Sequence, residues 1–171
     1  MKRLVCVEVD ILTSSVIEVS TGLTFETDAT KIDNQFIKDI HKKDGWKFNW
    51  KREFKTPNRE IFKLTLKENK FVLLGMISLE MKHDHVHVHL VESSPQNIGK
   101  QKEFLGIGGN LFAFACKVSK DCGFDGNISF IAKTNLIQYY SINLGAESLG
   151  NGKMIIRENS ASVLINKYFP Q

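Results

Sequence analysis

The feature that most constrains this chain is a change of hydrophobic period in its middle. Residues 61–66, 71–81 and 85–92 carry apolar side chains at strand spacing, joined by Lys67-Glu68-Asn69-Lys70 and Lys82-His83-Asp84, which have the composition of turns. That pattern predicts an antiparallel meander. Directly after it, Leu105-Gly106-Ile107-Gly108-Gly109-Asn110-Leu111 reads as a glycine-rich turn opening an apolar helix over 110–120, which Gly123 ends; residues 127–132 then return to strand composition. A second helix starts at Thr134 or Asn135 as cap, keeps Leu136, Ile137, Tyr140 and Leu144 on one side, and stops at Gly145. A short strand near 154–157 and a helix capped by Ser160, with Val163, Leu164 and Tyr168 inward, close the chain. A meander followed by strand, helix, strand and helix predicts an α+β fold.

The first 60 residues are less patterned. Residues 3–10 suggest a strand, 15–27 an extended piece around Gly22, and 30–43 an amphipathic helix with Ile32, Phe36, Ile37 and Ile40 together before Gly45. No repeat or linker divides the 171 residues, so one domain over 1–171 is expected; 42% hydrophobic and 25% charged residues suit a globular core. Cys6, Cys116 and Cys122 form no CxxC pair, which argues against a disulfide framework or a cysteine zinc site. The longest apolar run, 71–79, is broken by Gly75 and Ser78, and Glu8 and Asp10 interrupt the N-terminal apolar residues. The expectation is a cytoplasmic protein without a membrane partner. No heptads appear, which leaves a homodimer open.

Consecutive glycines at a helix start let backbone amides approach an anion, and the helix dipole adds to the attraction; Lys117 and Lys120 sit at the opposite end, where cations belong. An ordinary tight turn has the same composition. The Gly-x-x-x-x-Gly-Lys-[Ser/Thr] nucleotide loop is absent, and so is a dinucleotide-binding strand with its acidic residue. With Gly106-Ile107-Gly108 and Leu111 in register, residues 71–146 resemble the GNAT-type N-acetyltransferase superfamily. The family's Arg or Gln is Glu103 here, with Lys102 beside it. Asn135-Leu136-Ile137-Gln138-Tyr139-Tyr140 followed by Leu144-Gly145 is similar to a second family motif.

The resemblance implies a central, mostly antiparallel mixed sheet flanked by helices, with an extra C-terminal helix; residues 1–70 form a variable acceptor side, 71–146 the CoA-binding core, and 147–171 a closing strand and helix. It implies acetyl-CoA as cosubstrate, bound by Leu105, Gly106, Ile107, Gly108, Gly109, Asn110, Leu111, Asn135 and Tyr139. It implies Tyr140 as the acid that protonates the departing thiolate, one residue farther from the glycine than the family's common spacing. The acceptor would be an amine on a small molecule, a protein or a tRNA.

Transfer to an amine needs its proton removed. Glu92, at the end of the last meander strand, is the candidate base; strict alternation would bury it with Val86, Val88 and Leu90 unless a bulge intervenes, and Glu80 is the rival. His83, His85, His87 and His89 recur every second residue. They could line a polar cleft, relay the amine proton, or bind zinc, although no third ligand at metal spacing is evident, so no metal is expected. Residues 31–70 hold twelve Lys/Arg against six Asp/Glu, and within the segment 46–55 Trp46, Phe48 and Trp50 alternate with Lys47, Asn49 and Lys51, followed by Arg52, Phe54 and Lys55. Such a segment either binds nucleic acid through stacking and charge or covers the sheet with its aromatics and turns its lysines to water.

Overall fold

The computed structural model describes residues 15–170; the strand expected over 3–10, and Cys6 within it, lies outside the described residues. In chain order the elements are β1 (Val16–Glu18), β2 (Thr24–Phe25), β3 (Thr27–Lys31), α1 (Asn34–Ile37), α2 (Trp50–Lys55), β4 (Glu60–Leu66), β5 (Leu73–Met81), β6 (Val86–Ser93), β7 (Phe104–Leu105), α3 (Ile107–Asp121), β8 (Ile128–Ile131), α4 (Ile137–Leu144), β9 (Glu147–Gly150), β10 (Lys153–Ile156) and α5 (Glu158–Tyr168). Seven strands form one mixed sheet in the order β3-β4-β5-β6-β8-β10-β9, in which every neighbouring pair is antiparallel except β6 and β8. A parallel pair needs a crossover, and α3 supplies it. This is the mixed, mostly antiparallel sheet expected. A smaller sheet, β2-β1-β7, packs beside it.

Apolar side chains fill both faces. On one, Leu111, Phe112, Phe130, Tyr140, Met154 and Leu164 join α3, α4 and α5 to the sheet; on the other, Trp46, Trp50, Ile61, Met76 and Leu90 join α1 and α2 to it. The division depends on one irregularity in β6. Ser78 faces Leu90 and Leu79 faces Val88, so His89 is an extra residue without a cross-strand partner. A bulge of this kind resets the alternation. Val86, Val88 and Val91 therefore lie in the α3 layer and Leu90 in the α2 layer, and Glu92 does not share a face with Val86 and Val88.

Several elements differ from expectation for local reasons. The helix expected over 30–43 shrinks to α1, capped by the Asp33 carboxylate, because residues 30 and 31 extend β3 against β4; Ile32, Ile37 and Ile40 are still buried. The glycine-rich turn is the first turn of α3, which begins three residues early. Neither Thr134 nor Asn135 caps α4, which grows out of a 3-10 turn at Thr134–Leu136. In α5, Ser160 is internal, and Val163 is exposed while Ala161 and Ile165 take the inner positions. Strand β9 was not anticipated, although Asn151-Gly152, a strong hairpin signal, joins it to β10.

Candidate functional site

Strands β6 and β8 pair only over Val86–Val88 and Ile128–Phe130, then part. Beyond that apex the sheet is split into a wedge. Its open end holds a cavity of about 480 Å³. Glu92 and Ser93 reach the cavity from β6, Asn97, Gly99 and Lys102 from the turn after it, Lys133, Asn135 and Leu136 from the segment after β8, and Lys47 from the segment before α2. Three lysines from distant parts of the chain thus converge on one opening. The turn that carries Lys102 is fixed by Asn97, a buried amide that donates to Ser94 Oγ at 2.7 Å and accepts from the Phe104 N–H at 2.9 Å.

Glu92 is buried and fully engaged. Its carboxylate accepts from the Lys47 N–H at 2.6 Å, the Phe48 N–H at 3.2 Å and Trp50 Nε1 at 2.8 Å, so it ties the segment before α2 to the rim of the cavity. A carboxylate holding three donors is a clamp before it is a base. Trp46 and Trp50 are buried in the α2 layer and Phe48 packs on them, so the aromatics of the basic segment cover the sheet while Lys51, Arg52 and Lys55 line an open groove outside.

The glycine-rich stretch is closely packed. Gly106 caps α3 at φ +88°, and Ile107, Gly108, Gly109, Asn110 and Leu111 are all buried. A Cβ on Gly109 would lie 2.1 Å from Tyr168 Oη, so this glycine lets α5 press onto α3. Asn110 exchanges hydrogen bonds with Thr27, at 2.9 and 3.2 Å. Upstream, β1 pairs with β7, with Ile17 opposite Leu105 and Glu18 opposite Phe104, and the Val19 N–H donates to the exposed Glu103's carbonyl. Among the described residues the start of α3 is thus packed against Thr27 and Tyr168, and the strand before it against β1.

Tyr140 is fully buried, with Phe112 and Phe130 edge-on at ring distances of 5.6 and 5.3 Å. It continues the Leu136–Tyr140–Leu144 stripe into the core. Tyr139, half-buried, lies one turn beyond the cavity-lining Asn135, and its carbonyl accepts from Asn143 Nδ2.

The histidine strand is broken into separate pairings. His85 bonds the neighbouring Asp84, His87 bonds Ser129 Oγ on β8 at 2.7 Å, and His89 lies 3.3 Å from Glu80. Burial pushes both His87 and His89 down to about 4, so both rings are neutral at neutral pH. Glu80 is held down to about 2, first by its bond with Lys82 and further by Arg59. Arg59 also meets the buried Glu53, which accepts from Ser78 Oγ at 2.7 Å. Among the described residues no three His, Cys, Asp or Glu side chains are grouped as a metal ion would require, and no helix is long and apolar enough to cross a membrane.

Asn97, Gly99 and Lys133 were not singled out by sequence reasoning, and Lys47 was read only as a base of the aromatic segment 46–55. They are dispersed over 87 positions and form no local motif, so only the folded wedge assembles them.

No protein-family model matches the chain, and no curated protein matches it in sequence. Solved structures do match in shape. The spermidine N-acetyltransferase from Vibrio cholerae in complex with CoA and spermine superposes with a TM-score of 0.58 at 13% identity, over 80% of this chain and 98% of that one. Mutant forms of the spermidine/spermine N-acetyltransferase from the same organism give 0.57 at 13% identity, over 81% and 98%. The same enzyme in complex with manganese ions gives 0.54 at 12% identity, over 81% and 96%. The resemblance first carried by short motifs is therefore matched by one of fold over about four fifths of the chain: the chain has the fold of these acetyltransferases.

Proposed function

We propose that this chain is an N-acetyltransferase that moves an acetyl group from acetyl-CoA directly to a primary amine, with the wedge between β6 and β8 as its CoA site. The observation that carries the reading is the wedge itself, open between two parallel strands and ringed at its mouth by Lys47, Lys102 and Lys133. A pyrophosphate fits that donor set, because three lysines line one opening and the carboxylate that lines it among the described residues, Glu92, is already satisfied by N–H donors. The amides of Asn97 and Asn135 suit the amide groups of a pantetheine arm, which would run from the mouth toward the apex at Val88 and Phe130. Along β6 that path is roughly 17 Å, at about 3.3 Å per residue.

Held at both ends, the thioester is presented at the apex for attack by the amine, so that positioning supplies much of the rate. The phenol we assign to return a proton to the thiolate is that of the half-buried Tyr139, one turn from the cavity-lining Asn135, rather than the fully buried Tyr140. The acceptor side would be shaped by residues up to about 70, with α1 and α2 forming its wall. Vibrio cholerae spermidine N-acetyltransferase, in the complex with CoA and spermine, supports an amine acceptor. Calorimetric titration with acetyl-CoA, using ATP and NAD as controls, should show CoA-selective binding at micromolar concentration that Lys47→Glu with Lys133→Glu removes. Binding of ATP with equal strength, or undiminished CoA binding by the double variant, would refute the site.

A further inference from the structure

The wedge leaves one residue at its apex unexplained. His89 is the first residue of β6 beyond the last parallel pair, Val88 with Phe130, and it is the bulged residue that no strand partner faces. Its ring is turned to the side of the sheet that carries α2, and its side chain is 15% exposed. Nε2 is 3.3 Å from Glu80 Oε1. With the ring proton on Nε2 shared with that carboxylate, Nδ1 is left as the acceptor. Glu80 cannot swing away, because Arg59 and Lys82 both hold it, and Arg59 is held in turn by the buried Glu53. On the other side His87 stacks edge-on at 4.5 Å and is itself tied to Ser129. Glu53 on α2, Arg59 just before β4, Glu80 and Lys82 at the end of β5, and His89 on β6 are thus linked in one cluster, and its imidazole sits one residue beyond the point where β6 and β8 separate.

We propose that His89 accepts the proton of the acceptor's ammonium and that Glu80 is the residue that positions its ring. The proposal rests on the reading of the wedge as the acyl-transfer site. The ammonium gives one proton to His89 Nδ1; the freed lone pair attacks the thioester carbonyl carbon and the N–C bond forms. The tetrahedral adduct collapses, the C–S bond breaks, and the thiolate leaves with the electron pair. The amide nitrogen sheds its second proton, the thiolate gains one, and imidazolium returns its own to water, for a net release of one proton per turnover. Burial, and the positive charge of Arg59 and Lys82 against the negative charge of Glu80, keep His89 neutral and ready at physiological pH.

The test needs no acceptor. Bromoacetyl-CoA, whose electrophilic carbon occupies the place of the acetyl group, should alkylate His89 with loss of bromide, read by peptide mass spectrometry, and excess CoA should protect it. His89→Gln should abolish the label while CoA affinity stays within about twofold. Labelling should be flat through neutral pH and fall as pH drops through about 4, the value to which burial pushes this ring. Glu80→Gln should move that midpoint lower still, since the carboxylate favours the imidazolium, and a purely structural role for Glu80 would not move it. Label on another side chain, or none, in protein that binds CoA overturns the assignment of His89. Absence of CoA binding by wild-type protein overturns the wedge reading and this inference with it, and the binding titration tells that failure apart from the first.

Discussion

The start of α3 and the mouth of the wedge both gather glycine and polar residues, and they are built in opposite ways. At α3 every residue from Ile107 to Leu111 is buried, Gly109 is filled by Tyr168, and the preceding main chain is paired with β1. At the mouth the side chains surround a cavity, and the charges on them are predominantly positive. Glycine is used in the first region so that helices can approach and in the second, at Gly99 with φ +82°, so that a loop can turn beside the opening. Composition does not distinguish these uses; only the packing around them does. Glycine at a helix start and cations gathered around a void are two different arrangements, and the proposed anion site is of the second kind.

The largest effect should come from the clamp that holds the mouth open. Glu92→Ala strands the Lys47 and Phe48 amides and the Trp50 indole, and should cost about 4 kcal/mol in denaturant unfolding. If the cost is below about 1 kcal/mol, the carboxylate does not hold the rim. Next is the pH dependence set by the apex histidines. His87 and His89 are lowered from 6.5 to about 4 on folding, so the unfolded chain binds more protons between those values, and stability should fall as pH drops from about 6.5 to 4. Between them the loss should be roughly 3 kcal/mol once their residual exposure is allowed for. A His87→Gln, His89→Gln double variant should flatten that part of the curve, and an unchanged slope would mean that other groups carry it.

Gly109→Ala separates the two regions most cleanly. The methyl group meets the Tyr168 hydroxyl, so unfolding should become easier by about 2 kcal/mol, while the folded protein binds acetyl-CoA as before. Weakened CoA binding without a stability change would restore the start of α3 as the phosphate site. The smallest expected effect is Tyr139→Phe, which should slow acetyl transfer about tenfold with CoA affinity intact. If Tyr140→Phe slows transfer and Tyr139→Phe does not, the phenol lies on the core side after all.

The parts of this fold that were legible in the sequence are those whose pattern is local. The meander over 61–92 and the α3-β8-α4 succession follow from periodicity and stop signals, and they were found within a few residues. The helix expected over 30–43 failed because β4 offered residues 30 and 31 a strand partner, which no single-segment pattern reveals. The bulge at His89 could be anticipated only as a qualification, yet it decides which side of the sheet Leu90 faces. Glu92 was found by its position at a strand end, while its three donors come from residues 47–50, far away in sequence. The lysine ring was invisible for the same reason.

The central claim is that CoA phosphates rest on the wedge lysines and not on the glycines of α3. Calorimetric titration of acetyl-CoA into wild-type protein and the Lys47→Glu, Lys133→Glu double variant tests it most directly. The account predicts micromolar binding by the wild type, a loss of about 100-fold in the variant, or roughly 2.7 kcal/mol, and an unchanged melting temperature. Equal affinities in two folded proteins would contradict it.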